Sequence, residues 1–553
     1  KVHGVYRVHN PHATPITDVH VMMDDDKALS AIEMGGAKLA SHDKALGYRI
    51  YHLDQPMQPG EERDITFDLD FQPNGITNQT AQQQIVGNGS FVNSRMFPSF
   101  GYNEDGQIQD RNERRKRDLG EPMRMPKLED EAARANTYLT DYADWIDFKT
   151  TICTAPDQIA LAPGYLKKEF TRDGRRCFSY EMDRPMLDFY AYLSARWKVK
   201  KGMYKDIPIE VYYDEKHPYN VDRMIESVQK SLAYYEANFT PYQHQQVRII
   251  EFPGYSSFAQ AFANTIPYSE SIGFIADLRK KEDIDYVFYV TAHEIAHQWW
   301  AHQVIGANVQ GATVLSESLA QYSALMVMEQ EYGRGQMRQF LKTELDRYLG
   351  GRGGELLEEL PLYKVENQQY IHYQKGSLVF YRLREELGEE ALNRALKKFL
   401  QTKSYQTAPY TTSAELLGFI RAEARPDQQD MITDLFEKIS FYDNRVEKAT
   451  AKKRADGKYE VTLKLHAAKR YADGKGKETA GKLDDWVDVA VFARGKSGEE
   501  RDEKVLYLQR QRVTTENPTV TMVVDGMPYE AGFDPYNKLI DRVSSDNRKK
   551  ISI

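Results

Sequence analysis

The chain of 553 residues is long enough for about three to four domains of roughly 150 residues each. Its 74 basic and 82 acidic residues give a net charge of −8, which argues against a general nucleic-acid binder. Two cysteines exclude a disulfide-rich scaffold and a cysteine-based zinc finger. Residues 1–15 are polar, unlike a signal peptide, and the lack of a long apolar run predicts a chain without a transmembrane helix.

The first third of the chain has the alternating pattern of β-strands, most clearly at residues 64–71. Residues 148–161 and the stretch around Cys177 are also strand-like. Between them, residues 101–145 are rich in charge and include the basic run RNERRKR at 111–117. We interpret this run as a solvated loop or helix face, with a basic patch for an acidic partner as the alternative.

The apolar period becomes helical from about residue 220 and returns to a strand period after residue 445. Helical spacing is seen in Met224, Val228, Leu232 and Tyr235, and again in Met337, Leu341, Leu345 and Tyr348. Strand-like stretches are 247–252, 459–465, 487–493, 505–508 and 519–524, with a charged linker predicted at 446–458. We therefore predict a multidomain α+β protein. Its parts are an N-terminal β-sandwich (1–205) with a charged insertion near 101–145, a mainly helical part (206–445) and a small C-terminal β-sandwich (446–553).

The stretch TAHEIAHQWWAH, residues 291–302, contains His293-Glu294-x-x-His297 within a helical pattern. Two histidines four residues apart lie on one face of a helix, so both imidazoles can reach one zinc ion. Glu294 follows the first histidine, where it can act as a general base toward a water molecule. The alternative is a helix with two solvent-facing histidines.

A third ligand is available in Glu317, in the first turn of the helical stretch 316–333. Two antiparallel helices would bring this carboxylate to the metal, and the order His, His, Glu is that of thermolysin. A favourable interaction of Glu317 with the helix dipole is the simpler alternative.

With these residues the sequence resembles the zinc aminopeptidases of the aminopeptidase N and leukotriene hydrolase family, the gluzincins. The family motif is HExxH, eighteen residues and Glu; here nineteen residues separate His297 from Glu317, and LSESLA (315–320) corresponds to the family's LNEGFA. The resemblance implies a thermolysin-like catalytic domain over residues 206–445. It also implies one zinc ion held by His293, His297 and Glu317.

Two further stretches match the family. PYSESIGFI (267–275) corresponds to the GAMEN-like strand, which makes Glu270 the group that holds the substrate's α-amine and Gly273 the following glycine. The other positions of that motif differ: they are Pro267, Tyr268, Ser269 and Ser271. Without the resemblance, Glu270 would be read equally well as a surface glutamate on a strand.

The second match is YQKG (373–376), which resembles the family's YxKG and makes Tyr373 a hydrogen-bond donor to the oxyanion of the reaction. Spacing alone would leave Tyr373 as an ordinary half-buried tyrosine. We expect His302 and His372 to be packing or surface residues and not ligands.

The resemblance implies a zinc metallopeptidase that removes N-terminal residues from peptides with a free N-terminus, with Glu294 as the general base. One alternative is a metallohydrolase without N-terminal restriction. Another is a peptide-binding or gating module of a membrane transporter, with little or no hydrolysis.

Residues 267–275 and 311–333 resemble a subgroup in which the peptidase-like domain follows a bacterial ABC-type permease. We therefore expect this chain to be the soluble part of a larger membrane protein, without the large C-terminal helical domain of many relatives. We expect no nucleic-acid partner.

Overall fold

The structure is a computed structural model. It describes residues 1–23, 28–72, 84–101, 107–140, 145–280, 284–495 and 502–553. Among the helices of these residues, none combines the length and the apolar composition needed to cross a membrane.

The first residues form two small antiparallel sheets that pack face to face. One has the order β1-β6-β3 and the other β4-β5-β2-β8. The predicted strand at 64–71 is confirmed as β6, because its alternate side chains Ile65, Phe67 and Leu69 are buried. The strands are β1 (Val2–His9), β2 (Ile16–Met22), β3 (Leu29–Met34), β4 (Ala37–Asp43), β5 (Tyr48–Met57), β6 (Glu62–Leu69), β7 (Ser90–Asn93) and β8 (Ser99–Phe100).

The strand-like stretch 148–161 is two strands, which belong to two sheets with the orders β10-β13-β12 and β11-β15-β7. Cys153 and Cys177 lie directly opposite each other on β10 and β13 and form a disulfide. The strands are β9 (Trp145–Ile146), β10 (Lys149–Thr154), β11 (Ile159–Leu161), β12 (Tyr165–Arg172), β13 (Arg175–Glu181), β14 (Met186–Leu187) and β15 (Ala191–Ala195).

The basic run at 111–117 forms the short helix α1 (Arg111–Arg115), which has no buried residue. Lys116 and Arg117, directly after the helix, pair with Glu113 at 2.7 and 2.6 Å, as a solvated face would, and the choice between that interpretation and a basic patch stays a prediction. Of the predicted charged insertion, residues 102–106 and 141–144 lie outside the described residues.

The middle of the chain combines one sheet with eight helices among the described residues. The sheet has the order β16-β17-β18-β19, and β17, β18 and β19 run parallel. Helix α2 confirms the predicted period, because Met224, Val228, Leu232 and Tyr235 are fully buried. The strands are β16 (Lys198–Tyr204), β17 (Ile207–Tyr213), β18 (Val247–Phe252) and β19 (Thr265–Ser269). The helices are α2 (Val221–Asn238), α3 (Tyr286–Ala296), α4 (Leu319–Tyr332), α5 (Met337–Gly353), α6 (Gly376–Leu387), α7 (Glu389–Lys403), α8 (Ser413–Glu423) and α9 (Gln429–Phe436).

The C-terminal part is a β-sandwich, as predicted. One sheet has the order β20-β21-β22, with β25 also on β21, and the other β24-β23-β26-β27. Side chains of both sheets, such as Val461 and Val489, share one apolar core. The strands are β20 (Ile439–Lys453), β21 (Tyr459–Ala472), β22 (Glu478–Ala480), β23 (Asp485–Ala493), β24 (Lys504–Val513), β25 (Thr519–Val524), β26 (Glu530–Phe533) and β27 (Arg548–Lys550).

The predicted linker at 446–458 is wrong over most of its length, because residues 446–453 continue strand β20. Val446, Ala449 and Ala451 are buried, while Lys448 and the lysines at 452 and 453 face solvent. A β-bulge between Val446 and Lys448 shifts the alternation, which hid the strand period in the sequence. The predicted border at 205/206 falls in the turn between β16 and β17, and the border at 445/446 falls within β20. The three-part division at these residues stays a prediction.

Candidate metal centre

Helix α3 carries His293 of the HExxH motif into the interior, and His297 is the residue that caps its C-terminus. Its N-terminus is capped by the Asp285 side chain, which accepts a hydrogen bond from Phe288 N at 2.9 Å. His293, Glu294 and His297 expose only 7, 5 and 9% of their surface. The alternative of two solvent-facing histidines is therefore excluded.

Glu317 is brought to the same point by a π-helical turn, Val314–Ser318, that leads into α4. Its Oε2 lies 3.3 Å from Nε2 of His293 and 3.3 Å from Nε2 of His297, and the two nitrogens are 3.0 Å apart. A tetrahedral zinc site with bonds of about 2.0–2.2 Å has ligand–ligand edges of about 3.3–3.6 Å. The triangle of donor atoms is therefore close to the size that one zinc ion needs.

The tautomer of His297 also fits a metal ligand. Its Nδ1 lies 3.0 Å from the carbonyl oxygen of Trp300, so Nδ1 holds the proton and donates it to that oxygen. In the neutral form of the ring, the lone pair of Nε2 then points at His293 and Glu317. Such a second hydrogen bond is the usual support of a metal-binding imidazole.

The charges of the three groups stabilise one another. Burial opposes a charge on His297, but the neighbouring Glu317 carboxylate outweighs it and raises the pKa of His297 to about 9. Burial likewise opposes the Glu317 carboxylate, but the two histidines hold its pKa well below the ordinary value. The site therefore favours an ionised Glu317 next to a positive charge. A bound divalent cation would supply such a charge.

Glu294 lies beside the triangle without joining it. Burial raises the pKa of Glu294, and its Oε2 has no hydrogen-bond partner among the described residues. A buried carboxylate with one free oxygen is suited to accept a proton.

Tyr373 lies in a second π-helical turn, Tyr370–Lys375, before α6. Its ring centroid is 6.0 Å from that of His293. Burial and the carboxylates of Glu317 and Glu294 raise the pKa of Tyr373, so its phenol keeps the proton and can donate a hydrogen bond. Tyr373 is thus brought to the metal-binding triangle.

Glu270 starts a third π-helical turn, Glu270–Phe274, at the end of β19, so it is not an ordinary strand residue. Its Oε1 accepts a hydrogen bond from Gly254 N at 2.7 Å, and its Oε2 lies 3.7 Å from Nδ1 of His217. Its side chain is 29% exposed, which leaves it accessible to a ligand. π-Helical turns are rare and are often found at functional sites, and here three of them carry Glu270, Glu317 and Tyr373.

Two residues beside Glu270 were missed by the sequence reasoning. His217 Nδ1 lies 2.5 Å from Oε1 of Glu251, whose Oε2 accepts a hydrogen bond from Asp214 N at 2.5 Å. Burial raises the pKa of Glu251 to about 7. The sequence held one signal for this pair: Glu251 is an acidic residue in the otherwise mostly apolar strand β18, which is fully buried. Acidic residues are rarely buried without a partner.

Gly273 has a packing function in the same turn. A Cβ atom there would lie 2.3 Å from the ring of Tyr268, so only glycine fits against that buried tyrosine. The carbonyl oxygen of Gly273 accepts a hydrogen bond from Nδ2 of Asn220 at 2.7 Å. A direct contact of Gly273 with substrate stays a prediction.

His302 and His372 are packing residues, as expected. Both are buried, and neither belongs to a metal-binding group among the described residues. His302 Nε2 donates to the carbonyl oxygen of Ala261 at 2.9 Å. Burial lowers the pKa of each to about 4, so both are neutral at pH 7.

The comparisons with known proteins agree with this geometry. Residues 223–436, which contain the triangle and Tyr373, match the model of the peptidase family M1 domain. The predicted resemblance to the aminopeptidase N type of gluzincins, with one zinc ion, is thereby confirmed.

The chain is similar to two curated aminopeptidases over a limited stretch. It is 26% identical to human endoplasmic reticulum aminopeptidase 2 over 187 residues, which are 32% of this chain and 19% of that protein. It is also 26% identical to probable aminopeptidase 1 of Sulfurisphaera tokodaii over 192 residues, 33% of this chain and 24% of the relative. The match thus spans about a fifth to a quarter of the length of these relatives.

Solved structures with the same fold extend over more of the chain. Aminopeptidase A of Legionella pneumophila, in complex with aspartic acid, has a TM-score of 0.56 at 16% identity, over 95% of this chain and 55% of its own. A mutant form of an M1 zinc metallopeptidase from Deinococcus radiodurans has a TM-score of 0.52 at 14% identity, over 78% of this chain and 89% of its own. They confirm the predicted multidomain architecture.

Proposed function

We propose that this chain is a zinc-dependent aminopeptidase. The observation that carries the proposal is the triangle of His293, His297 and Glu317, with Glu294 and Tyr373 next to it. The M1 domain match and the aminopeptidase relatives support the same reaction.

In this proposal His293, His297 and Glu317 hold one zinc ion. When bound, such an ion polarises a carbonyl group and makes water more acidic. Glu294 accepts the proton of the attacking water and passes it to the leaving amine. The Tyr373 phenol donates a hydrogen bond to the substrate oxygen as negative charge develops on it.

Glu270 binds the free α-ammonium of the peptide, which limits cleavage to the first residue. The hydrogen bond from Gly254 fixes one carboxylate oxygen, and the other, which lies 3.7 Å from Nδ1 of His217, is the one that binds the ammonium group. An ammonium group bound to a fixed carboxylate makes a charge-assisted hydrogen bond, which supplies both affinity and direction.

The experiment that tests this function is zinc analysis together with hydrolysis of one peptide, free or N-acetylated, with and without chelator. We expect one zinc ion per chain and chelator-sensitive cleavage of the free peptide alone. Cleavage of both peptides would favour a hydrolase without N-terminal restriction. Zinc and peptide binding without cleavage would favour a binding module of a transporter, and a chain that takes up no zinc would refute the proposal.

We also propose that the chain belongs to a membrane permease and lies on the oxidising side of the membrane. The similarity of residues 267–275 and 311–333 to permease-fused peptidases supports the first part. The disulfide Cys153–Cys177 supports the second, because disulfides are rare in the cytosol of mesophiles. Alkylation of the protein from unreduced cells should leave both cysteines unmodified until reductant is added, and two free thiols would contradict this location.

A further inference from the structure

Glu317 is flanked by two serines whose side chains bond to different parts of the molecule. Ser318 Oγ donates a hydrogen bond to the carbonyl oxygen of His372 at 2.7 Å. Ser316 Oγ accepts one from the phenol of Tyr138 at 2.7 Å, across 178 positions of sequence. One serine thus ties Glu317 to the turn of Tyr373, and the other ties it to the N-terminal half of the chain.

Tyr138 lies in residues 122–140, which are the second part of the predicted charged insertion. Backbone hydrogen bonds join this segment to the chain after the HExxH helix: Gln310 N donates to Pro126 O, Asn308 N to Asn136 O, and Tyr138 N to Gly306 O. Ion pairs add to them: Arg124 with Glu366 and Arg134 with Glu415, each at 2.7 Å. The segment is therefore fixed along the face of the helical part.

The turn that carries Glu317 needs support from outside. A π-helical turn is a rare departure from the α-helix, and Thr313 at its start makes no side-chain capping hydrogen bond. The phenol of Tyr138 donates a hydrogen bond to this turn from outside it. Ser316, next to Glu317 in sequence, receives that hydrogen bond.

We propose that Tyr138 is a positioning residue of the metal centre, which fixes the Glu317 turn through Ser316. The inference rests on the proposed role of Glu317 as a zinc ligand. If Tyr138 has this role, residues 122–140 have the function of supporting the metal site. The metal affinity of the helical part then depends on the N-terminal half of the chain.

The test compares zinc affinities of the full chain, measured by competition with a chelator. The variants are Tyr138→Phe, Ser316→Ala and the double variant. Loss of a hydrogen bond that orients a ligand typically lowers metal affinity by about 10–100-fold. We expect a loss in this range for either single variant and no further loss in the double variant, because both remove the same bond.

Tyr180→Phe is the matched control, because its phenol donates to the carbonyl oxygen of Ala160 at 2.7 Å within the β-rich N-terminal part. It should leave zinc affinity unchanged. Ser316→Ala tests the same bond from within the helical part if Tyr138→Phe folds poorly. A wild-type zinc affinity in Tyr138→Phe, or additive losses of zinc affinity in the double variant, would overturn this inference but not the proposed function. A wild-type chain that binds no zinc would overturn the proposed function as well.

Discussion

Gly376 and Ser318 approach so closely that a Cβ atom on Gly376 would lie 2.5 Å from Oγ of Ser318. Gly376 is the last residue of YQKG and the first of α6, directly after the turn that carries Tyr373. Ser318 ends the turn that carries Glu317. The absence of a side chain at Gly376 therefore lets the two turns pack against each other.

Replacing this glycine should move Tyr373 relative to Glu317. In Gly376→Ala, the new methyl group collides with Ser318, and overpacking of this kind costs about 1–3 kcal/mol. We expect a lower melting temperature and a kcat reduced by at least about tenfold, measured by thermal unfolding and peptide hydrolysis. Gly418→Ala in α8 is the control, because nothing lies within 4 Å of its added Cβ. A wild-type kcat in Gly376→Ala would show that the close approach does not matter.

Glu294→Gln should nearly abolish turnover while zinc remains bound. The amide fills the same buried space but cannot accept the proton of the attacking water, and general-base catalysis contributes about 10²–10⁴-fold. Single-turnover hydrolysis and zinc analysis of the same sample check both parts. Substantial activity in the zinc-loaded variant would exclude Glu294 as the base.

Tyr373→Phe should lower kcat more than it changes KM. Loss of one oxyanion donor typically costs about 10²–10³-fold in kcat. Tyr370→Phe is a control in the same turn, because the Tyr370 phenol donates to Glu355 at 2.9 Å. Equal effects of the two variants would show that the turn's integrity, and not the Tyr373 hydroxyl, is what catalysis requires.

Glu270→Gln should weaken the preference for a free N-terminus. The variant loses a charge-assisted hydrogen bond of about 1.5–3 kcal/mol, which corresponds to roughly 10–100-fold in kcat/KM for a free peptide. Activity toward the N-acetylated peptide, however low, should not fall in parallel. A parallel loss for both peptides would mean that Glu270 does not recognise the ammonium group.

Because His302 is buried, we expect the folded protein to lose stability in acid. Burial lowers its pKa to about 4 from an ordinary 6.5, so the folded protein keeps it neutral while the unfolded chain binds a proton. Its contribution is fully present above pH 6.5 and is lost as pH falls toward 4, by about 3 kcal/mol. His302→Gln should flatten the unfolding free energy over this range in denaturant titrations, and His12→Gln, at an exposed residue, should not. An unchanged slope in His302→Gln would refute this assignment.

Local sequence patterns predicted the class of each part of the chain and several individual elements. Strand β6 and helix α2 were recognised because one face of each packs on a core, which imposes its period on the sequence. Strand β20 was missed because its bulge breaks the period. The disulfide could not be predicted, because two cysteines show nothing of the register that sets them opposite each other.

The sequence also indicated the metal chemistry, because an α-helix fixes the spacing of His293 and His297 by its own backbone geometry. The roles of Glu317, Glu270 and Tyr373 were predicted through resemblance to a family. His217, Glu251 and Tyr138 carry no motif and were not found. Their place depends on which strands pair and which loops cross, and these contacts form between distant parts of the chain.

The sequence by itself therefore determined the helical pair of histidines, the adjacent general-base candidate and the class of reaction. Only the tertiary structure decided that Oε2 of Glu317 lies 3.3 Å from both imidazoles and that Tyr138 supports its turn. The physical reason is the range of the forces involved. Backbone hydrogen bonds set distances over a few residues, whereas burial of apolar surface brings together groups that lie far apart along the chain.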